Sequence, residues 1–411
     1  MSSSSSTVPA VSSVSALGAP LRVGLVAGEA SGDTLGADLI RAIRRLAPQA
    51  QFFGVAGPKM LAEGCASWEP AESLAVMGLV EIVRDLPRLI ALRARIQRRF
   101  LVVKPDVFVG IDAPEFNLHV ARNLRLAGIP TVQYVSPQVW AWRQGRVRSI
   151  HRAVDLVLCL LPFEKRFYEA AGVPAEFVGH PLADAIPMVG DRAAARAALG
   201  CVASASVIAL LPGSRRGEVM RLSADFAHTA NWLKRHRPEL EFVAPMAGAG
   251  TLEIFSEAML RLAPDVKVKF IEGQAQTALT AADVVLVASG TATLEAALCK
   301  RPMVVVYRLG RLSTWIFRRL KLFKSKYFAQ PNLLADRRIV GEYFQEAIVP
   351  AVIGAEILKW LDDAAGTQAL QQEFARIHLN LKRDASTRAA EAIIGMLAAR
   401  AAGAVRTAGP R

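Results

Sequence analysis

Long apolar runs are missing from this chain. The longest, around Val154 to Phe163, is interrupted by Asp155 and Pro162 and is about half the roughly 20 residues that a membrane-spanning helix needs. Cysteine is scarce: Cys65, Cys159, Cys201 and Cys299 stand far apart with no C-x-x-C spacing. That excludes a disulfide framework and a zinc ribbon, and fits a reducing cytoplasm. The six histidines form no H-x-x-x-H pair. The first 20 residues are rich in Ser and lack Lys and Arg altogether, so they have no basic n-region of a secretory signal and read as a disordered tail. Acidic residues are also in deficit, 36 against 50 Lys and Arg, for a formal charge of +14. Such an excess suggests an anionic partner: nucleic acid, a phosphorylated substrate or an acidic membrane surface.

What is present is enough chain for two domains, 411 residues of which 52% are apolar. Short β-rich apolar runs alternate with longer helical patterns, the signature of parallel sheets covered by helices. In the first half the runs are LRVGLVA (21–27), QFFGVAG (51–57), DVFVGID (106–112), TVQYVS (131–136), DLVLCLL (155–161) and AEFVGH (175–180). Leu35, Leu39, Ile43 and Leu46 recur between them at helical spacing. The series restarts with VIALLPG (207–213), EFVAPMA (241–247), VKVKFIEG (266–273), DVVLVASG (283–290) and PMVVVYR (302–308). The expected architecture is α/β, with two Rossmann-like domains facing across a cleft. They span 21–184 and 185–367 and meet at the linker HPLADAIPMVGD (180–191); Ala-rich helices over 368–400 could cross back to the first domain.

In open parallel sheets, ligands bind at the carboxyl ends of the strands, so the residues that follow each strand are the candidates. The first strand leads into GEASGD, Gly28 to Asp33. Its glycines allow a tight turn, and the next helix offers free N–H groups to an anion or a sugar hydroxyl. A plain turn capped by Ser31 or Asp33 is the other reading. The motif is not G-x-G-x-x-G and no acidic residue ends the second strand, which argues against a dinucleotide cofactor. DVFVGID is followed by Asp112-Ala113-Pro114-Glu115-Phe116-Asn117. There Asp112 is either a carboxylate able to deprotonate an attacking hydroxyl or the N-cap of a capping box with Glu115. VSPQVWAWR, with Gln138, Trp140 and Trp142, ends the next strand, and its indoles either stack on a sugar or fill a core.

In the second half, LPGSRRGE brings together Gly213 for close backbone approach, Ser214 as a donor and Arg215 as a fork matched to phosphate. An arginine at a helix start is electrostatically unfavourable without an anion nearby. SGTATLE places Ser289, Gly290 and Thr291 at a helix start and Glu295 one turn inside. The turn suits a diphosphate and the glutamate a ribose diol, although an ordinary Ser/Thr cap would look the same. No D-x-D pair occurs. No metal and no cofactor are therefore expected, and fixed donors with Arg215 must stabilise the departing charge.

Between Arg308 and Phe328 there are seven basic residues and no acidic one, with Leu309, Leu312, Ile316, Leu320, Phe323 and Tyr327 at three- and four-residue spacing. This reads as a basic amphipathic helix touching a membrane through Trp315, Phe317, Arg318, Arg319, Lys321 and Lys324; the alternative is a surface helix packed on its own domain. A second apolar and basic stretch, Leu74 to Phe100, could line an acceptor site or belong to the core. The charge sits on an apolar segment and no nucleic-acid motif is present, so nucleic acid is not an expected partner.

At these residues the chain closely resembles the lipid-A-disaccharide synthase family. The strings VAGEASGD, GVAGPKM, LAVMGLVE, KPDVFVGIDAPEFN, YVSPQVWAWR, LPFEK, LLPGSR, SGTATLE and QPNLL occur in order between about Leu21 and Ala398. The resemblance implies a metal-independent inverting GT-B glycosyltransferase. It would transfer 2,3-diacylglucosamine from UDP-2,3-diacylglucosamine to 2,3-diacylglucosamine 1-phosphate (lipid X), releasing the β-1,6-linked disaccharide 1-phosphate and UDP. Asp112 is then the candidate base, and Gly213, Ser214, Arg215, Ser289, Gly290, Thr291, Glu295 and Asn332 belong to the UDP side. Gly28, Glu29, Ser31, Gly32, Asp33, Asn117 and Gln138 belong to the acceptor cleft. Arg216 stands where the family often has a small residue. The expected partners are the two lipid substrates, an anionic membrane surface and a second copy of the chain. The expected place is the inner face of the inner membrane of a Gram-negative bacterium. Another GT-B UDP-sugar enzyme, a MurG-like transferase or a UDP-GlcNAc 2-epimerase, is the alternative.

Overall fold

The apolar runs become strands whose side chains alternate between two cores. In the computed structural model, which describes residues 19–74, 79–140, 144–310 and 326–407, the first sheet contains β1 (Arg22–Ala27), β2 (Gln51–Ala56), β3 (Ala66–Pro70), β4 (Val107–Ile111), β5 (Thr131–Tyr134), β6 (Leu156–Cys159) and β7 (Ala175–Phe177). Val23, Leu25, Ala27, Val107, Val109 and Ile111 point into one apolar cluster, and Val26 and Phe108 into another on the opposite face. This period of two, with both faces apolar, is what a sheet covered on both sides by helices requires. The sheet order is β3-β2-β1-β4-β5-β6-β7, and all its pairs are parallel.

The second sheet contains β8 (Val207–Leu211), β9 (Glu241–Met246), β10 (Val268–Glu272), β11 (Val284–Ala288), β12 (Met303–Tyr307) and β13 (Gly341–Phe344), in the order β10-β9-β8-β11-β12-β13. Its pairs are parallel as well. Phe226 of helix Arg216–His236, Phe255 of helix Ala249–Leu262 and Ile353 of helix Pro350–Asp362 fill the core against Ile208, Leu210 and Leu286. The sequence pattern misses only β3 and β13 among these strands. Both lie at sheet edges and are mostly half-exposed, so neither carries the unbroken apolar run by which a buried parallel strand is recognised.

The chain forms two compact units. One holds the described residues up to Pro181 and those from Arg383 onward; the other runs from Leu182 to Lys382. The boundary expected at 184 and 185 thus falls at 181 and 182, and the expected 368–400 tail is divided. Helix Ala364–Leu381 stays with the second unit, where it packs on helices Thr291–Leu298, Gln330–Ala335 and Pro350–Asp362. Helix Ala385–Thr407 returns to the first unit and packs on helix Ala30–Leu46. Ala385, Ala389, Ala390 and Ile393 recur at helical spacing and are buried there against Leu39 and Ile43. No described helix is long and apolar enough to cross a membrane.

Candidate functional site

In each sheet the strand order reverses at one place, and the loops there diverge to opposite faces and open a crevice. In the first sheet that place lies between β1 and β4, where Ala27 pairs with Ile111. The loops that follow are the turn beginning at Gly28 and the turn beginning at Asp112. In the second sheet it lies between β8 and β11, where Leu211 pairs with Val287. The loops there are Gly213-Ser214-Arg215 and Ser289-Gly290-Thr291. The sequence motifs distant along the chain are therefore neighbours in pairs, one pair in each unit.

Asp112 and Ala113 are both left-handed, with φ of 52° and 39°. Such a pair is strained for non-glycine residues and persists only where the surroundings hold it. Here the hold is explicit: the Asp112 N–H donates to the Tyr134 carbonyl at 2.9 Å. The Asp112 carbonyl accepts from Asn117 Nδ2 at 2.8 Å and from Gln133 Nε2 at 3.0 Å. Gly28 is buried, and a Cβ placed there would lie 3.0 Å from the Ala113 Cβ, so glycine is what lets the two turns approach. The residue capping helix Pro114–Leu126 is Ala113, with no side-chain cap. The capping box expected as one reading of Asp112 and Glu115 does not form, because Glu115 pairs with Arg146. The Asp112 carboxylate is half-buried and forms no ion pair among the described residues. Burial pushes its pKa above the usual aspartate value, against a smaller pull from the Ala113 N–H. A fixed carboxylate with a raised pKa and no cation neutralising it is equipped to accept a proton.

Two of the cleft candidates are tied into the fold by their hydrogen bonds. Asp33 is buried, and its carboxylate accepts the N–H groups of Gly57, Lys59 and Met60 at 3.0, 2.9 and 3.0 Å. It thereby caps helix Pro58–Ala62 from the neighbouring helix Ala30–Leu46. Asn117 is fully buried, its amide spanning the Val26, Ile111 and Asp112 carbonyls. Its Nδ2 steadies the Asp112 carbonyl, and its Oδ1 has no hydrogen-bond partner among the described residues. Glu29, an N-cap with no side-chain hydrogen bond, and Ser31 are exposed at the start of helix Ala30–Leu46, and Gly32 is buried behind them. Gln138 is exposed on the loop after β5.

In the second unit Gly213 has φ 128°, and Ser214 and Arg215 are exposed, Arg215 being the N-cap of helix Arg216–His236. Arg216 turns away and donates to the Gly250 carbonyl at 3.3 Å. Sequence reasoning missed Glu218. Its Oε2 accepts the Ser214 N–H at 3.3 Å and would lie 2.4 Å from a Cβ on Gly213. The turn thus already holds an anion of its own, and burial raises the pKa of that carboxyl against the pull of the Ser214 N–H, Arg215 and Arg221. Its position three residues after the cap was the available signal.

On the facing loop, Gly290 caps helix Thr291–Leu298 and Thr291 is exposed. The Ser289 hydroxyl donates to the Phe328 carbonyl at 3.1 Å, so it is held by the protein. Glu295 is half-buried, with a pKa raised by burial. Asn332 is tied into the fold. It is fully buried; its Nδ2 donates to the Val340 carbonyl at 3.0 Å, and its Oδ1 accepts the Ile339 and Val340 N–H groups at 2.8 and 3.0 Å. It closes the loop between helix Gln330–Ala335 and β13.

A second omission is Glu164, from the LPFEK string. It is buried and accepts from Ser136 Oγ, Trp140 Nε1 and the Leu161 N–H at 3.0, 3.1 and 3.0 Å. Burial lifts its pKa to about 7. Trp140 is held by this carboxylate and lies edge-on to Phe163 at 4.8 Å, so its indole braces the loop after β5. Trp142, Trp315, Phe317, Arg318, Arg319, Lys321 and Lys324 lie outside the described residues. Among the described residues no three His, Cys, Asp or Glu side chains gather as metal ligands.

The profile of the family described as lipid-A-disaccharide synthetase matches residues 23–394. The chain is 51% identical over 376 residues to the lipid-A-disaccharide synthase of Alkalilimnicola ehrlichii, covering 91% of this chain and 98% of that protein. It is 50% identical to the Serratia proteamaculans protein of the same name, with the same two coverages of 91% and 98%. Among solved structures it is similar to the UDP-GlcNAc 2-epimerase of Neisseria meningitidis bound to UDP-GlcNAc (TM-score 0.56, 13% identity, 91% of this chain and 98% of that one). It is also similar to the calicheamicin glycosyltransferase CalG4 (TM-score 0.56, 15% identity, 93% and 100%). At such identities these two show the fold alone, two Rossmann-like domains of the GT-B type.

Proposed function

The chain belongs to the lipid-A-disaccharide synthase family, and from that premise we propose that the two switch points divide the substrates between them. The enzyme is a glycosyltransferase: it moves 2,3-diacylglucosamine from its UDP carrier to 2,3-diacylglucosamine 1-phosphate, forming the β-1,6 disaccharide 1-phosphate and UDP. The acceptor meets the β1/β4 crevice, and the UDP meets the β8/β11 crevice. Asp112 takes the proton of the attacking hydroxyl. Ser214, Arg215, the Gly290 turn and the helix N-termini receive the charge that develops on the departing diphosphate, and Glu295 faces the ribose.

The observation that carries this reading is the Asp112 carboxylate itself, free of any cation partner among the described residues and held at the switch point by a main chain bonded on both sides. Incubation with both diacyl substrates and mass detection of the disaccharide tests the reaction; Asp112→Asn tests the role. The variant should fold, because the clamp uses main-chain atoms, and should lose about 10²–10⁴-fold in kcat. Turnover within a few-fold of wild type removes Asp112 from the role of base.

Both substrates are lipids, so the site must work at a bilayer. Segment 311–326, basic and periodically apolar by sequence, is the element we assign to that contact, on the inner face of the inner membrane. Anionic headgroups there would meet its cations.

A further inference from the structure

A cavity of about 420 Å³ opens where β2 and β3 end, beside the turn whose Gly57 N–H donates to Asp33. Its wall is largely apolar: Ala56, Pro58, Leu61, Trp68 and Pro70, with Leu61 48% exposed at the surface. The charged residues lining it are Glu69 and Glu72, both acidic. Glu69 is ion-paired to Arg95 of helix Leu79–Val103. Among the described residues no lysine or arginine lines the cavity, so its lining offers a phosphate no cation. The Trp68 ring is stacked by Phe53 at 5.4 Å and covered by the Arg99 guanidinium at 4.5 Å. It serves the cavity as an apolar wall more than as a platform for a sugar. What remains is a neutral, apolar occupant.

Position supplies the identity. The cavity sits at the same carboxyl edge of the sheet as Asp112, and the path from β4 to β3 crosses β1 and β2. Three inter-strand steps make about 14 Å, a distance that a long acyl chain on a sugar held at Asp112 covers. Helix Leu79–Val103 runs beside the cavity, tied to it through Arg95 and through Arg88 at the Ser73 carbonyl (3.4 Å). It carries two more exposed apolar side chains one turn apart, Leu86 and Ile90.

We propose that this cavity receives an acyl chain of the acceptor lipid, and that Leu61 at its wall sets how strongly chain length is rewarded. The inference rests on the transferase reading above, and its test separates the two. Each methylene withdrawn from water is worth about fourfold in binding, so wild-type kcat/KM should rise as acceptors carry longer acyl chains and level off once the cavity is full.

Leu61→Trp narrows the cavity. It should raise the KM for a long-chain acceptor about tenfold or more, while the KM for a short-chain acceptor and that for the donor stay within twofold. Leu61→Ala, an exposed truncation that the fold tolerates, should raise the long-chain KM severalfold in the same direction. A loss shared equally by short- and long-chain acceptors, no change in either variant, or a change confined to the donor KM overturns the assignment. Failure of the wild type to make disaccharide from any acceptor overturns the transferase reading itself.

Discussion

Replacing Glu164 with glutamine probes the buried electrostatics behind the loop after β5, the strand next to β4. In the folded chain its carboxyl is pushed from 4.5 up to about 7, chiefly by burial, although Leu161, Ser136 and Trp140 all donate to it and favour the charged form. The unfolded chain restores the ordinary value. Between those two values the folded state therefore keeps a proton that the unfolded state has released, and stability falls as pH rises through that window. Above about 7 the loss is complete. At about 1.4 kcal/mol per pH interval the gap is worth about 3 kcal/mol.

Glutamine keeps an acceptor for Ser136 and Trp140 but cannot ionise, and its amide opposes the Leu161 N–H at a cost of about 1–3 kcal/mol. The variant should thus be the less stable protein at about pH 5 and should recover most of the difference by about pH 8. Other groups titrate alike in both proteins and cancel in the comparison. Hydrogen exchange of the β5 and β6 amides, corrected for intrinsic rate, reads the opening free energy of this unit alone. Wild-type and variant curves that stay parallel across the window would refute the reasoning, because the carboxylate would then be ionised throughout.

Three further outcomes are expected. Arg215→Ala should weaken UDP binding by about 1.5–3 kcal/mol, the value of a charge-assisted contact, and leave acceptor binding intact; unchanged UDP affinity by calorimetry would move the diphosphate elsewhere. Glu218→Gln should bind UDP roughly tenfold more tightly near neutral pH by removing a like charge. The wild type should lose affinity, relative to this variant, as pH rises through the raised Glu218 pKa, and equal titration curves would exclude it from the phosphate turn. Changing Arg318, Arg319, Lys321 and Lys324 to Gln should release the protein from anionic vesicles at low salt, each charge being worth about 1 kcal/mol. Sedimentation equal to wild type would leave the membrane contact to another segment.

Three candidate site residues are tied into the fold in the same physical way. Asp33, Asn117 and Asn332 lie within strings that mark the family, and all three side chains hydrogen-bond the backbone of other segments, with Asn117 Oδ1 alone left over. A strand-end polar residue that binds a ligand and one that ties down a loop look the same in one dimension. Glu164 and Glu218 went unnoticed for the converse reason. Each follows a helix start at the ordinary spacing of a capping glutamate, and only burial turns an ordinary cap into a carboxyl with a raised pKa.

Periodicity and turn chemistry are local properties, so the sequence by itself determined the eleven apolar strands it could show, the alternation with helices, two successive sheets and the turns bearing Asp112 and Arg215. The order of strands within each sheet is not local. Which strand ends become neighbours depends on how apolar faces far apart in the chain bury one another, and on a last helix that leaves the second unit to cover the first. Only the tertiary structure placed β1 beside β4 and β8 beside β11, and so decided which turns share a crevice.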